Sequence, residues 1–202
     1  MKNKDQDLKS KLCDAYFSIL NNSNSNSIKL EDLCLKSKVS YDEAKKIIPE
    51  NSFNNHVFFL QTLITKLDNE TLEELKKDIS DDTISSTYDK ILEGLTLRFE
   101  NFLEYKPAFK IISEKLESRV ENFFALLQQN YSFMFNLLDL VENKQNCILK
   151  TIKSTALNSL FIKTVEIFLK DENNNLDATV RYLDKYLRDI EDVGVIVGIV
   201  KR

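Results

Sequence analysis

The sequence predicts an all-α fold, and three observations lead to that expectation. Apolar residues recur at spacings of three and four along most of the chain, which is the period of one helix face. Only 3 Gly and 2 Pro occur among 202 residues, whereas sheets and loop-rich folds need these residues at their turns. The length is sufficient for one or two domains with a buried core. We therefore expect long helices joined by few sharp corners.

Three short helices are predicted at the N-terminal end of the chain. The first covers Leu8–Leu20 and ends in the Asn/Ser run Asn21–Ser27. The last serine of that run can cap a second helix, and Ser40 can cap a third helix, which Pro49 closes. Many small proteins use such a trio to present one helix to the DNA major groove. We interpret residues 1–50 as a candidate helix-turn-helix DNA-binding domain.

The candidate DNA contacts lie in or beside the second and third of these helices. Lysines can contact phosphates as mobile point charges, and residues at the start of the third helix would face the backbone or the base edges. The predicted DNA-binding residues are Lys29, Lys38, Ser40, Tyr41, Asp42, Lys45 and Lys46. The net charge of −4 argues against a protein that coats nucleic acid through bulk charge. A compact three-helix cap with solvated lysines is the alternative interpretation.

A connecting region and a larger helical bundle are predicted beyond residues 1–50, which we call the head. Residues 51–84 are expected to hold a connecting helix up to Leu67 and a charged, shorter helix or helical hairpin at residues 68–83. The bundle, residues 85–202, begins with a long helix that should stop before Pro107, because the residue before a proline avoids helical angles. Its later helices are expected at Ala108–Leu116, Val120–Val141, Cys147–Leu169 and Leu176–Ile190.

Aromatic residues are concentrated between Phe99 and Phe135, in a chain with 13 Phe, 7 Tyr and no Trp. Two aromatic-rich helices can leave a cleft for a flat or hydrophobic ligand. The candidate ligand-binding residues are Phe99, Phe102, Phe123, Phe124, Leu127 and Tyr131. No charged residue on these stripes is expected to anchor a ligand. The alternative is that the aromatic residues simply form the core.

The last two predicted helices carry apolar stripes near the end of the chain. One stripe runs from Ile148 to Phe168 and the other from Leu176 to Ile190. Two such helices from each subunit would pair into a four-helix bundle, so we expect a homodimer through these helices. The alternative is that they close the core of the monomer.

The sequence lacks the patterns that indicate catalysis or metal binding. His56 is the only histidine and the cysteines form no CxxC pair, so neither a metal nor a cofactor is expected. The motifs GxGxxG, GxxxxGK[ST] and GxSxG are missing, and we predict that the protein is not an enzyme. Without a signal-peptide pattern or an apolar run near 18 residues, a soluble cytoplasmic protein without a transmembrane segment is expected.

The order of the N-terminal pieces resembles the TetR family of bacterial transcriptional regulators. The matching pieces are Leu12–Leu20, Lys29–Leu33, Val39-Ser40 and Pro49. The stretches Ile91–Phe109 and Leu176–Asp192 resemble the ligand-binding and dimerisation domain of a TetR subgroup. The resemblance implies a homodimeric regulator that binds double-stranded DNA through its helix-turn-helix and is released by a hydrophobic small-molecule or lipid effector.

The chain also departs from the TetR pattern in its third helix. Asp42 occupies a position where the family usually has a small residue, and Lys45 a position where it usually has tyrosine. These differences support an alternative function, a lipid- or isoprenoid-binding accessory protein with a vestigial DNA-binding head. A protein of ubiquinone biosynthesis is similar to the TetR family in fold, has lost DNA binding and holds lipid in its second domain.

Overall fold

In the part of the chain that the computed structural model describes, the regular secondary structure is helical. The described residues are 2–22, 28–49, 56–82, 84–116, 120–142, 146–172 and 175–196. The helices are α1 (Lys2–Asn22), α2 (Leu30–Ser37), α3 (Tyr41–Ile47), α4 (His56–Ser80), α5 (Thr87–Phe102), α6 (Lys106–Leu116), α7 (Val120–Val141), α8 (Cys147–Lys170) and α9 (Asp177–Ile196). A 3₁₀ turn at Leu103–Tyr105 joins α5 to α6. The prediction of an all-α fold is confirmed.

Two helix boundaries differ from the sequence prediction. The charged stretch at residues 68–83 was expected to be a separate helix or a helical hairpin, but α4 continues without a break from His56 to Ser80. Asp68 is buried, so a charge at this point does not mark the end of the helix. Helix α5 ends at Phe102, before Pro107 as predicted. The next helix was expected at Ala108–Leu116, but α6 begins at Lys106, so Pro107 lies in its first turn. A proline is tolerated there because the first N–H groups of a helix have no partner within the helix.

The helices form two compact units, each of which takes segments from two parts of the chain. Unit 1 comprises Met1–Lys66 and Glu104–Leu126, and unit 2 comprises Leu67–Leu103 and Leu127–Arg202. Both α4 and α7 therefore contribute residues to both units. The predicted domain ranges 1–50, 51–84 and 85–202 follow the order of the chain, whereas the two units interleave.

In unit 1, helix α1 is the central element, and α2, α3 and α6 pack against it. The Tyr16 ring stacks on Phe59 of α4 with centroids 4.0 Å apart, and the Phe17 ring meets Tyr105 edge to face at 5.7 Å. Leu33 of α2 is fully buried. Burial of one such apolar side chain stabilises the fold by about 1.5–3 kcal/mol. These contacts hold the three N-terminal helices together.

In unit 2, helix α9 packs against both α5 and α8. Helix α5 begins with a capping box, in which the Ser86 hydroxyl accepts a hydrogen bond from the Asp89 backbone N–H and the Asp89 carboxylate accepts one from the Ser86 N–H. The Tyr88 hydroxyl donates to the Asp184 carboxylate of α9 at 2.7 Å. Leu183 of α9 is fully buried. Polar and apolar contacts together therefore fix α9 against α5.

Gly94 of α5 marks a close approach between helices of unit 2. A Cβ atom at this position would lie 2.7 Å from Cδ1 of Leu137 and 2.8 Å from Cδ2 of Leu75. Both leucines are fully buried, so neither side chain can move without displacing other core atoms. The absence of a side chain at position 94 thus sets the distance of α5 from α4 and α7.

We expect Gly94→Ala to lower the free energy of unfolding although alanine is the better helix former. The gain in helix propensity is about 1 kcal/mol, whereas overpacking a core costs about 1–3 kcal/mol. The net loss should reach up to about 2 kcal/mol, as measured by urea denaturation. Val lacks both Cδ atoms, so Gly94→Ala should cost less in a Leu137→Val background. An equal or larger cost in that background would contradict the packing explanation.

Candidate nucleic-acid interface and buried polar cluster

A short turn reverses the chain between α2 and α3. Helix α2 ends at Ser37, and Lys38 adopts the left-handed conformation, with φ of 56° and ψ of 31°. Val39 is buried beneath the turn. Ser40 caps α3, because its hydroxyl oxygen accepts a hydrogen bond from the Glu43 backbone N–H at 3.4 Å. This order of helix, tight turn and capped helix matches the local structure that the sequence predicted.

One of the two carboxylates in the first turn of α3, that of Glu43, is bound by neighbouring side chains. The Ser40 hydroxyl donates to Oε2 of Glu43 at 2.8 Å, and the Lys4 ammonium of α1 donates to Oε1 at 3.2 Å. The hydrogen bond from Ser40 and the interaction with Lys4 hold the pKa of the Glu43 carboxyl below its usual value. Ser40 was predicted to face DNA, but its hydroxyl is engaged within α3 as a cap.

Four exposed side chains form the outward face of α3. They are Tyr41, Asp42, Lys45 and Lys46. The Lys45 ammonium lies 4.9 Å from the centroid of the Tyr41 ring, within the range of a cation–π interaction. Ala44 is buried on the opposite side. Lys38 beside the turn and Lys29 before α2 are exposed as well, and so is Ser40, so all seven predicted DNA contacts are accessible.

The aromatic residues of α5 pack into a closed cluster in unit 2. The Phe99 ring stacks on Phe161 of α8 with centroids 4.7 Å apart, and it lies 5.1 Å from Phe168. Phe102 meets Phe161 edge to face at 6.4 Å. All four rings are buried. These contacts fit the alternative in which Phe99 and Phe102 belong to the core.

The remaining candidate ligand contacts lie on α7. Leu127 and Tyr131 are half-buried, and the Tyr131 hydroxyl donates to the backbone carbonyl of Thr151 on α8 at 3.4 Å. The side chains of Phe123 and Phe124 lie outside the part of the structure that is described. A role for these residues in ligand binding stays a prediction.

A buried arginine, which the sequence analysis did not single out, lies inside the aromatic cluster. The guanidinium carbon of Arg98 is 4.0 Å from the centroid of Phe133 and 4.2 Å from that of Phe161. Its Nε and Nη2 atoms donate to the two carboxylate oxygens of Asp68 on α4, at 2.7 and 3.0 Å. The sequence analysis named no charged residue on the aromatic stripes as an anchor for a ligand, and the charge found there is already paired with Asp68.

Hydrogen bonds extend from Arg98 across the core of unit 2. Its Nη1 atom donates to the amide oxygen of Asn130 on α7, and the Asn130 amide nitrogen donates to the amide oxygen of Asn158 on α8. Burial raises the pKa of the Asp68 carboxyl and lowers that of the Arg98 guanidinium, and the attraction between the two charges opposes both shifts. One connected polar cluster thus joins α4, α5, α7 and α8.

An apolar groove lies between α8 and α9 in unit 2. Its volume is about 520 Å³. The residues that line it include Ile152, Ala156, Leu160, Tyr182, Tyr186 and Val193. Val193 is 59% exposed, Ile152 is 45% exposed, and Ile148, one helical turn before Ile152, is 69% exposed. A contiguous apolar surface of this kind on a protein commonly marks an interaction site.

The described residues contain no group of three His, Cys, Asp or Glu side chains arranged to hold a metal ion. The Nδ1 atom of His56 is hydrogen-bonded to the Tyr16 hydroxyl. No helix in the same part of the chain combines the length and the apolar character needed to cross a membrane. Comparison with protein-family models, curated proteins and solved structures finds no match.

We expect Arg98→Met to lower the free energy of unfolding by about 3–5 kcal/mol, because Asp68 loses its partner in the core. The double variant Arg98→Met/Asp68→Leu removes both charged groups and should recover most of this loss. Urea denaturation of the wild type, both single variants and the double variant measures the coupling. Lys11→Met, which breaks an exposed ion pair with Asp7, is the control and should cost less than about 1 kcal/mol. Additive effects at positions 68 and 98 would contradict the pairing.

Proposed function

We propose that the protein is a TetR-like transcriptional regulator that acts in the cytoplasm, binds double-stranded DNA with α3 and catalyses no reaction. The observation that carries this proposal is the outward face of α3, where Tyr41, Lys45 and Lys46 are exposed. Ala44 and Ile48 are buried at the same time, so α3 has one side packed on its own unit and one side free for a partner. A helix presented in this way suits the major groove.

The charges around α3 support separate roles for its residues in DNA binding. Lys38, Lys45 and Lys46 are exposed near one another in sequence and suit contacts with phosphates, as does Lys29 at the start of α2. Asp42 is exposed in the first turn, where a carboxylate can accept a hydrogen bond from the amino group of cytosine. Since Lys4 and Ser40 already bind the Glu43 carboxylate, that charge repels phosphate less than an unpaired one would.

The apolar groove between α8 and α9 supports a homodimer. An isologous interface uses the same surface on both copies and must therefore be complementary to itself. The groove has an apolar centre and includes both Lys163 of α8 and Asp189 of α9, which carry opposite charges. Two copies joined through these helices would form a four-helix bundle. The two copies of α3 would then need a spacing of about 34–36 Å to read successive major grooves.

A hydrophobic effector would act in this proposal by changing that spacing. A ligand shifts a conformational equilibrium only by the difference in its affinity for the two states. Leu127 and Tyr131 on α7 are the half-buried candidates for its contacts. An effector that favours a spacing unsuited to successive grooves would release the DNA.

Asp42 supports a second candidate function, that of a lipid- or isoprenoid-binding accessory protein whose head no longer binds DNA. Its exposed carboxylate lies on the face that would meet the negatively charged duplex. The groove between α8 and α9 is apolar and open enough for one acyl or isoprenoid chain. In this case the lysines of α3 are solvated surface residues.

We expect the double variant Lys45→Ala/Lys46→Ala to bind DNA at least about tenfold more weakly than the wild type at low salt. The slope of log affinity against log salt should fall by about 2, because two phosphate contacts are lost. The measurement is fluorescence anisotropy with a duplex from the region upstream of the protein's own coding sequence. Lys76→Ala/Lys77→Ala removes an adjacent exposed lysine pair from α4 and is the matched control.

Equal affinity and slope in the α3 variant and in this control would contradict the phosphate contacts. If the wild type itself binds no DNA, the regulator proposal fails. Co-purified lipid, detected by native mass spectrometry of the same preparation, would then support the second candidate.

We expect Ile152→Glu/Val193→Glu to convert the homodimer to a monomer, because two carboxylates would be buried at the apolar centre of the interface. Sedimentation velocity measures the change directly. Ile84→Glu is the matched control, since Ile84 is 95% exposed and lies outside the groove. A wild-type protein that sediments as a monomer, or a double variant that remains dimeric, would contradict the proposed interface.

A further inference from the structure

Two helices contribute residues to both compact units, and one side chain holds both of them. The division between the units falls after Lys66 in α4 and after Leu126 in α7. Asp68 and Asn130 lie within about one helical turn of these points, inside unit 2. Arg98 donates hydrogen bonds to both residues. The buried guanidinium thus binds α4 and α7 next to the places where these helices enter unit 2.

The geometry of this contact is directional in a way that apolar packing is not. A guanidinium is a rigid planar fork, and here it forms two bonds with one carboxylate. The centroids of the Phe133 and Phe161 rings lie 4.0 and 4.2 Å from its central carbon. A slip of α4 by one residue would move Asp68 by about 1.5 Å along the helix axis and by about 100° around it. Both bonds would then be lost, whereas neighbouring apolar contacts could re-form.

The net stabilisation from such a pair is small, because removing two charges from water offsets most of their attraction. Such a pair can instead select one arrangement of the helices that carry it. The cluster also continues from Asn130 to Asn158, so α8 is hydrogen-bonded to the same cluster.

We infer that Arg98 is a positioning residue that holds α4 and α7 in one register and one rotation, and that its ion pair with Asp68 selects this arrangement of the helices. The inference does not depend on DNA binding, since all members of the cluster lie in unit 2. Because α4 is one continuous helix, loss of this contact should reach the part of α4 that belongs to unit 1, residues 56–66.

Hydrogen exchange of the full-length protein, followed by mass spectrometry, tests the inference. Arg98→Lys keeps the positive charge but loses the fork, and Arg98→Met/Asp68→Leu removes both charges and leaves none unpaired. Both variants should exchange at least about tenfold faster than the wild type in residues 56–66. The charge-free variant should unfold at a urea midpoint close to that of the wild type.

The control is Leu183→Ala, which opens a cavity on α9, a helix that belongs to unit 2 alone. Its effect on exchange in residues 56–66 should not exceed its effect on global stability. If residues 56–66 of Arg98→Lys exchange at the wild-type rate, the inference is overturned, because the positive charge alone would then be enough to hold the helices. Exchange in residues 56–66 of Leu183→Ala that rises beyond its effect on global stability would also overturn the inference. So would a charge-free variant that fails to fold, because the pair would then be an ordinary stabilising contact.

Discussion

The ion pair between Arg98 and Asp68 is the interaction on which the arrangement of unit 2 depends most directly. It lies among the rings of Phe133 and Phe161, where water does not compensate either charge. Each ion loses several kcal/mol of hydration in such a place, so the pair persists only with both bonds formed and with Asn130 as a further acceptor. The helices that supply these groups must therefore meet at one point in one orientation. Apolar contacts, among them the close approach at Gly94, then fill the space that this orientation leaves.

Unit 1, which contains the N-terminal helices, is held together differently. Its core is apolar: Tyr16 stacks on Phe59, and Leu33 of α2 is buried. Its surface is divided between charges that are internally bonded, such as Glu43, and charges that are exposed, such as Lys45. This division is what connects the fold of the head to the proposed function, since only the exposed charges are available to a nucleic-acid partner. Unit 1 thus depends on apolar packing for its stability and, under the proposed function, on its exposed lysines for contact with DNA.

Periodicity was sufficient to predict the helices, because each helix buries one face and repeats it every three or four residues. The cap at Ser40 and the short helices on either side of the turn were predicted for the same local reasons. The continuity of α4 was not predicted, because Asp68 reads as a surface charge in sequence. Its partner Arg98 is 30 residues away, so its burial is a property of the pair and not of the local pattern. One signal was available for Arg98, which follows Leu95 by three residues and so falls on the apolar face of α5. For the candidate site, accessibility of the lysines followed from the helix pattern, whereas the engagement of Ser40 by Glu43 required coordinates.

The left-handed conformation of Lys38 has a consequence for the way this domain tolerates change. A residue with a side chain adopts that conformation at a cost of roughly 1 kcal/mol, which glycine avoids. Replacement by glycine is the change that thermostability screens would favour at this corner, and it would remove a cation from the head. Under the proposed function, selection for heat resistance and selection for attraction to DNA would therefore act in opposite directions on residue 38.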